Sequence, residues 1–210
     1  MTTTMKIESL VLGMVQTNCY LLINRSTSEC IIVDPADSPQ KIENHITRQG
    51  YHPVAILLTH GHFDHILGVN ALKKTFSIPV YAAKDEEEIL THSGKNLSSQ
   101  FGTDYKVNAD YQLEDGAELS LAGTKIKAML TPGHTKGSMC YYFEEDGFLI
   151  SGDMLFCESV GRTDLPTGNS TEIMKSLREK VLVLPDETIV YPGHGEVTDI
   201  AHEKAYNPYA

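Results

Sequence analysis

The stretch Thr59-His60-Gly61-His62-Phe63-Asp64-His65 sets four potential metal ligands within six residues. A strand brings residues i and i+2 to one face and a helix brings i and i+4, so neither gathers all four. The spacing predicts a loop. Before it, Val54-Ala55-Ile56-Leu57-Leu58 reads as a short buried strand; after it, Ile66, Val69, Leu72 and Phe76 predict a helix over 65–76. Strand, ligand-rich loop and helix in that order make an α/β unit. Its ligands would lie at the carboxyl end of a strand, where open α/β sheets bind them.

Three later stretches repeat the arrangement. An apolar run over 125–130 leads into Thr131-Pro132-Gly133-His134-Thr135, a second over 148–151 into Gly152-Asp153, and a third over 188–191 into Pro192-Gly193-His194-Gly195. Each sets one donor residue just past a strand, beside glycine that lets backbones approach closely. Singly, a histidine in a Pro-Gly turn is ordinarily solvated and an aspartate after glycine ordinarily caps a turn. Their concentration argues otherwise, since five of the nine histidines fall in these junctions, leaving only His45, His52, His92 and His202 elsewhere. His60, His62, Asp64, His65, His134, Asp153 and His194 make seven nitrogen and oxygen donors. That is too many for one tetrahedral ion and suits two sharing a carboxylate. Two metals roughly 3.5–4 Å apart hold a bridging water, lower its pKa and polarise a substrate oxygen. Such a site hydrolyses electrophilic carbonyl or phosphoryl groups without a protein nucleophile, and neither a G-x-S-x-G elbow nor a P-loop offers a rival chemistry.

The rest of the chain bounds the reading. Its 210 residues, 41% apolar and 21% charged, suit one globular domain over 1–210. A formal charge of −11 leaves no electrostatic footprint for nucleic acid, and an anionic substrate would need a local basic residue. No run approaches the roughly 20 apolar residues of a membrane span, and Met1–Lys6 is not followed by the apolar core of a signal peptide. The expectation is a cytoplasmic protein with no membrane partner. Cys19, Cys30, Cys140 and Cys157 lie widely spaced in apolar segments, suiting reduced, packed thiols.

Strands are expected over 6–12, 19–24, 30–33, 78–82, 118–121, 125–130, 138–143, 148–151 and 188–191. Ser38-Pro39 reads as an N-cap with proline at the first helical position, opening a helix that ends at Gly50. Residues 85–91 suggest one or two helical turns, 171–183 the last clear helix, and 91–108 a polar loop that either borders the site or lies on the surface.

With these residues in view, the chain resembles the metallo-β-lactamase superfamily, whose mark is H-x-H-x-D-H followed by a downstream His, Asp and His. The resemblance covers nearly the whole length and implies a four-layer αββα sandwich with metals at one edge of two sheets. It implies that His60, His62 and His134 bind one ion, Asp64, His65 and His194 a second, and that Asp153 bridges them. Within the superfamily, Thr-Pro-Gly-His134-Thr, Ser-Gly-Asp153, Gly161-Arg162-Thr163-Asp164-Leu165-Pro166 and the ending Glu203–Tyr209 resemble the glyoxalase II-like (hydroxyacylglutathione hydrolase-like) enzymes.

That likeness implies hydrolysis of a small thioester such as S-lactoylglutathione by a metal-bridging hydroxide, with zinc the leading metal and iron or manganese as options. Asp64 would orient the hydroxide as well as bind metal. Arg162 matches a basic substrate-binding position; its bland role is an ion pair with Asp164. Cys157 reads as packing. Persulfide dioxygenases share the Gly-Arg-Thr-Asp segment but hold one iron on two His and one Asp, here His60, His134 and Asp153, and lactonases and other ester hydrolases use the same metal pair. Leu165-Pro166 favours the hydrolases.

Overall fold

The computed structural model describes residues 4–210. Of the segment behind the leader expectation, Met1–Thr3 lie outside the described residues. Two six-stranded sheets form the body. The first contains β1 (Met5–Leu12), β2 (Thr17–Asn24), β3 (Glu29–Val33), β4 (His52–Leu57), β5 (Val80–Ala83) and β6 (Tyr111–Leu113), side by side in that order. β1 to β3 are antiparallel, whereas β3 to β6 run parallel. The second sheet uses β7 (Glu118–Leu121), β8 (Thr124–Leu130), β9 (Met139–Phe143) and β10 (Phe148–Gly152). A small hairpin, β11 (Leu155–Phe156) with β12 (Ser159–Val160), precedes β13 (Ile189–Pro192) and β14 (Thr198–Asp199), and the sheet order is β14-β13-β10-β9-β8-β7. Among the described residues, six α-helices flank the sheets: α1 (Pro39–Gln49), α2 (Phe63–Ile66), α3 (Val69–Phe76), α4 (Glu87–Thr91), α5 (Ser170–Ser176) and α6 (Ile200–Tyr206).

Strand alternation explains the four layers. Successive side chains on a strand point to opposite faces, and in the central strands both faces are apolar. On β2, Leu21 and Ile23 pack with Ile42 and Ile46 of α1, whereas Tyr20 and Leu22 face the second sheet. On β9, Tyr141 and Phe143 meet that inter-sheet core, whereas Cys140 and Tyr142 join Ile173 and Leu177 around α5. Three apolar cores separated by two sheets are the αββα sandwich. The expected strands all appear, with ends shifted by one or two residues.

Three expectations need correction. The helix over 65–76 is two helices, α2 and α3, because Gly68 N donates to Pro35 O at 2.7 Å, tying the chain to the end of β3. A Cβ at Gly68 would lie 2.7 Å from that same oxygen, so Gly68→Ala is expected to cost about 1–3 kcal/mol by overpacking, read from urea unfolding. Ser38 makes no side-chain cap hydrogen bond; its φ of 48° turns the chain into α1 while Pro39 starts the helix as expected. The helix from Ser170 changes to a π turn over Leu177–Val181 and is not the last, since Asp199 accepts from His202 N at 2.8 Å to cap α6.

Among the described residues, no helix is long and apolar enough to cross a membrane.

Candidate metal centre

All the predicted donors meet at one edge of the sandwich. His60 and His62 follow β4, His134 follows β8, Asp153 follows β10 and His194 follows β13. The first cluster is only half a loop: His60 and His62 lie outside regular structure, whereas Asp64 and His65 ride the single turn of α2. Tertiary bonds hold these junctions in place. Asn18 N donates to Gly193 O at 2.8 Å, and the Asn18 amide donates to Pro192 O and Gly195 O, each at 3.0 Å. On the other side, Met139 N donates to Thr59 O and the Tyr141 hydroxyl to Leu58 O, both at 2.8 Å.

Two groups of three donors result, His60 with His62 and His134, and Asp64 with His65 and His194, each with ligand atoms within 4.8 Å of one another. Asp153 faces both. Its oxygens lie 3.5 Å from His134 Nε2, 3.4 Å from His65 Nε2 and 3.6 Å from His194 Nε2. His60 Nε2, His62 Nε2 and Asp153 Oδ1 are buried without a hydrogen-bond partner among the described residues. A buried polar atom left unpaired costs about 1–3 kcal/mol, so three in one cluster fit a site built for cations.

The rear nitrogens of His60, His65 and His134 are pinned, which fixes what their front nitrogens offer. Thr59 Oγ1 donates to Asp34 Oδ2 at 2.6 Å, so it accepts from His60 Nδ1 at 3.1 Å and leaves His60 Nε2 with a lone pair. Asp34 Oδ2 also accepts from His65 Nδ1 at 3.0 Å, and Arg162 O accepts from His134 Nδ1 at 2.8 Å. Such partners orient ligands and raise their basicity. Asp34, just past β3, joins the site although the donor pattern of the sequence does not include it. It too sits just past a strand, which is the signal that marked the others. Its φ of 45° places it in the left-handed region, uncommon for a non-glycine residue.

The two halves differ electrically. Burial pushes His60 well down and His62 to about 3, with neighbouring histidines adding to the effect. Burial would also lower His65, but Asp153, Asp64 and Asp34 outweigh it and raise His65 to about 10. Burial would raise Asp64, but His65 and His194 hold it well below the carboxylate range. Neutral imidazoles thus face a carboxylate-rich half, and a field that favours a proton on His65 also favours a metal cation.

Above these donors opens a cleft of about 660 Å³ with Val15, Leu97, Phe101, Phe156 and Leu165 in its wall. Phe101 stacks on Phe63 at 4.2 Å, so the polar segment over 91–108 does border the site. Arg162 reaches the cleft while forming a two-bond pair with Asp164, Nε and Nη2 each 2.7 Å from a carboxylate oxygen. Cys157 is exposed, which corrects its reading as a packing residue; Cys19, Cys30 and Cys140 are buried thiols as expected. Cys157, His202 and Glu203 also lie near one another, but the Glu203 oxygens already accept from Glu158 N, Thr198 and Asn207.

The family model for the Metallo-beta-lactamase superfamily matches residues 12–194. The chain belongs to this superfamily. It is 39% identical over 207 residues to the "Probable metallo-hydrolase YqgX" of Bacillus subtilis, covering 98% of this chain and 97% of that one. Over 211 residues it is 32% identical to the "Hydroxyacylglutathione hydrolase GloC" of Haemophilus influenzae, covering 98% of each. Among solved structures, BLEG-1, titled a B3 metallo-beta-lactamase, superposes with a TM-score of 0.93 at 40% identity over 97% of this chain and 99% of that one. TTHA1623 in a di-iron-bound form gives 0.86 at 32% identity over 97% and 100%. Membership brings a hydrolase's small-molecule substrate and divalent metal ions with it, and the donor set described above fits them.

Proposed function

We propose that the chain acts as one catalytic domain over 1–210 and hydrolyses thioesters of the S-lactoylglutathione type in the manner of glyoxalase II-like enzymes. The observation that carries this reading is the pair of three-donor groups facing a common Asp153 at the floor of an open cleft. His60, His62 and His134 would hold one ion and Asp64, His65 and His194 the other, with Asp153 shared and zinc the leading metal. The di-iron form of TTHA1623 supports a two-ion site and keeps iron as an option. The name of GloC, similar over 98% of its length, supports the thioester class.

When bound, the ions supply Lewis acidity toward the carbonyl oxygen and an activated water. The protein's own groups do the rest. Asp64 accepts from Thr17 Oγ1 at 3.2 Å and lies 3.3 Å from His194, a placement from which it can orient the attacking water. Phe63 and Phe101, stacked on each other, give the cleft an apolar wall beside the donors. Arg162 places a cation at the rim, shared with Asp164, where a substrate carboxylate would sit. A thiolate leaving group needs no strong acid to depart. Buried, reduced Cys19, Cys30 and Cys140 suit the cytoplasm.

Freshly purified protein is expected to carry two divalent ions per chain and to turn over S-lactoylglutathione. Metal analysis with parallel thioesterase, β-lactamase and oxygen-uptake assays on one sample tests this. One iron per chain with oxygen consumed on a persulfide, or β-lactam turnover without thioester turnover, would overturn it.

A further inference from the structure

Glu86 is a fully buried carboxylate outside both groups of donors. It stands in the acidic run Asp85-Glu86-Glu87-Glu88, on a 3-10 turn between β5 and α4. Its neighbours in that run face solvent, as acidic residues ordinarily do. Glu86 instead turns beneath the metal centre. Oε1 accepts from Gly61 N at 2.8 Å, and Oε2 accepts from the Thr135 hydroxyl at 2.8 Å and Gly137 N at 2.9 Å.

Those three donors belong to two loops. Gly61 separates His60 from His62, whereas Thr135 follows His134 and Gly137 lies on the same turn. One carboxylate therefore bonds both loops that bear the first group, and none of these bonds reaches Asp64, His65, Asp153 or His194. Bonds from both loops converge on this one buried carboxyl, which fixes their separation. Burial raises the Glu86 carboxyl to about 7, and Thr135, Gly61 and Gly137 work against that rise. The glycines make room: a Cβ on Gly137 would lie 2.6 Å from Glu86 Oε2, and one on Gly61 would lie 2.9 Å from Ile89 of α4. The turn and α4 thus form a platform under both loops.

We infer that Glu86 is a positioning residue for the first ion: it sets the spacing of the His60–His62 loop from the His134 loop, and so governs that ion's affinity, leaving the ion at Asp64, His65 and His194 nearly unaffected. The inference rests on the two-ion ligand assignment proposed above. It is separable from it, because its readout is metal binding and not turnover.

The test is a zinc titration of metal-free protein against a chelating competitor, yielding two binding constants, with the cobalt(II) absorption spectrum as a second readout. Glu86→Gln keeps the side-chain volume and one acceptor oxygen. It is expected to lower one constant about 10–100-fold, the range for partners that orient ligands, to leave the other within about threefold, and to alter the cobalt bands of the three-imidazole site. Thr135→Val removes a single donor and should give a smaller loss at the same site; it decides the matter if Glu86→Gln does not fold. A wild type that binds two ions beside variants with both constants unchanged, or with both lowered alike, would overturn the role of Glu86 alone. A wild type that binds fewer than two would remove the two-ion assignment as well.

Discussion

Asp153→Ala is expected to lower hydrolysis by more than about 100-fold and metal content below two ions per chain. Loss of a group that only orients a ligand already costs roughly 10–100-fold, and Asp153 faces nitrogens from both groups of donors. The packing leaves nothing to replace it. A Cβ on Gly193 would collide with Asp153 Oδ1, and one on Gly161 with the Asp153 carbonyl, so Gly193 closes directly on this side chain and Gly161 on its backbone. Full turnover with two ions bound would sink the bridging assignment.

The second large effect is expected at Asp34. This carboxylate accepts from Thr59 N at 2.8 Å, from Thr59 Oγ1 at 2.6 Å and from His65 Nδ1 at 3.0 Å, all within the core. Asp34→Ala strands three buried donors at about 1–3 kcal/mol each, enough to threaten a fold whose total stability is of order 5–15 kcal/mol. Asp34→Asn is the sharper probe. Its amide keeps the shape but turns N–H toward His65 Nδ1, which favours the His65 tautomer protonated on Nε2. That proton occupies the atom the metal needs. Metal affinity is expected to drop about 10–100-fold with a much smaller change in the urea midpoint of the metal-free protein. Unchanged affinity in a folded Asp34→Asn protein would show that the His65 tautomer is set elsewhere.

Much of the fold was legible because its signals are local. The apolar runs of β2, β9 and β10 mark strands buried on both faces, and Gly50 ends α1 with the positive φ of 70° that glycine adopts without strain. The misses have long-range causes. Residues 65–76 carry an unbroken helical pattern, yet the chain divides there because Gly68 bonds the Pro35 carbonyl, a partner supplied by another strand end. Glu86 is indistinguishable in sequence from Glu87 and Glu88, and only burial separates it from them. Both roles of Arg162, a cation at the site and an ion pair with Asp164, were legible; that one orientation serves the two together was not.

The sequence by itself determined which atoms are available: seven donors placed just past strand ends or on the turn that follows, with glycines that let backbones close around them. It also determined the apolar runs that let two sheets bury three cores. Only the tertiary structure decided which donors meet. His62 and His134 are 72 residues apart and their ring nitrogens stand 2.9 Å from each other; His65 and His194, 129 apart, stand at 3.3 Å. Spacing along a chain sets contacts within a turn or a hairpin, whereas these distances depend on how two sheets stack. Asp34 and Glu86 belong to that second level. Each is an ordinary acidic residue in sequence and becomes a fixed partner of the site only when packing removes it from water.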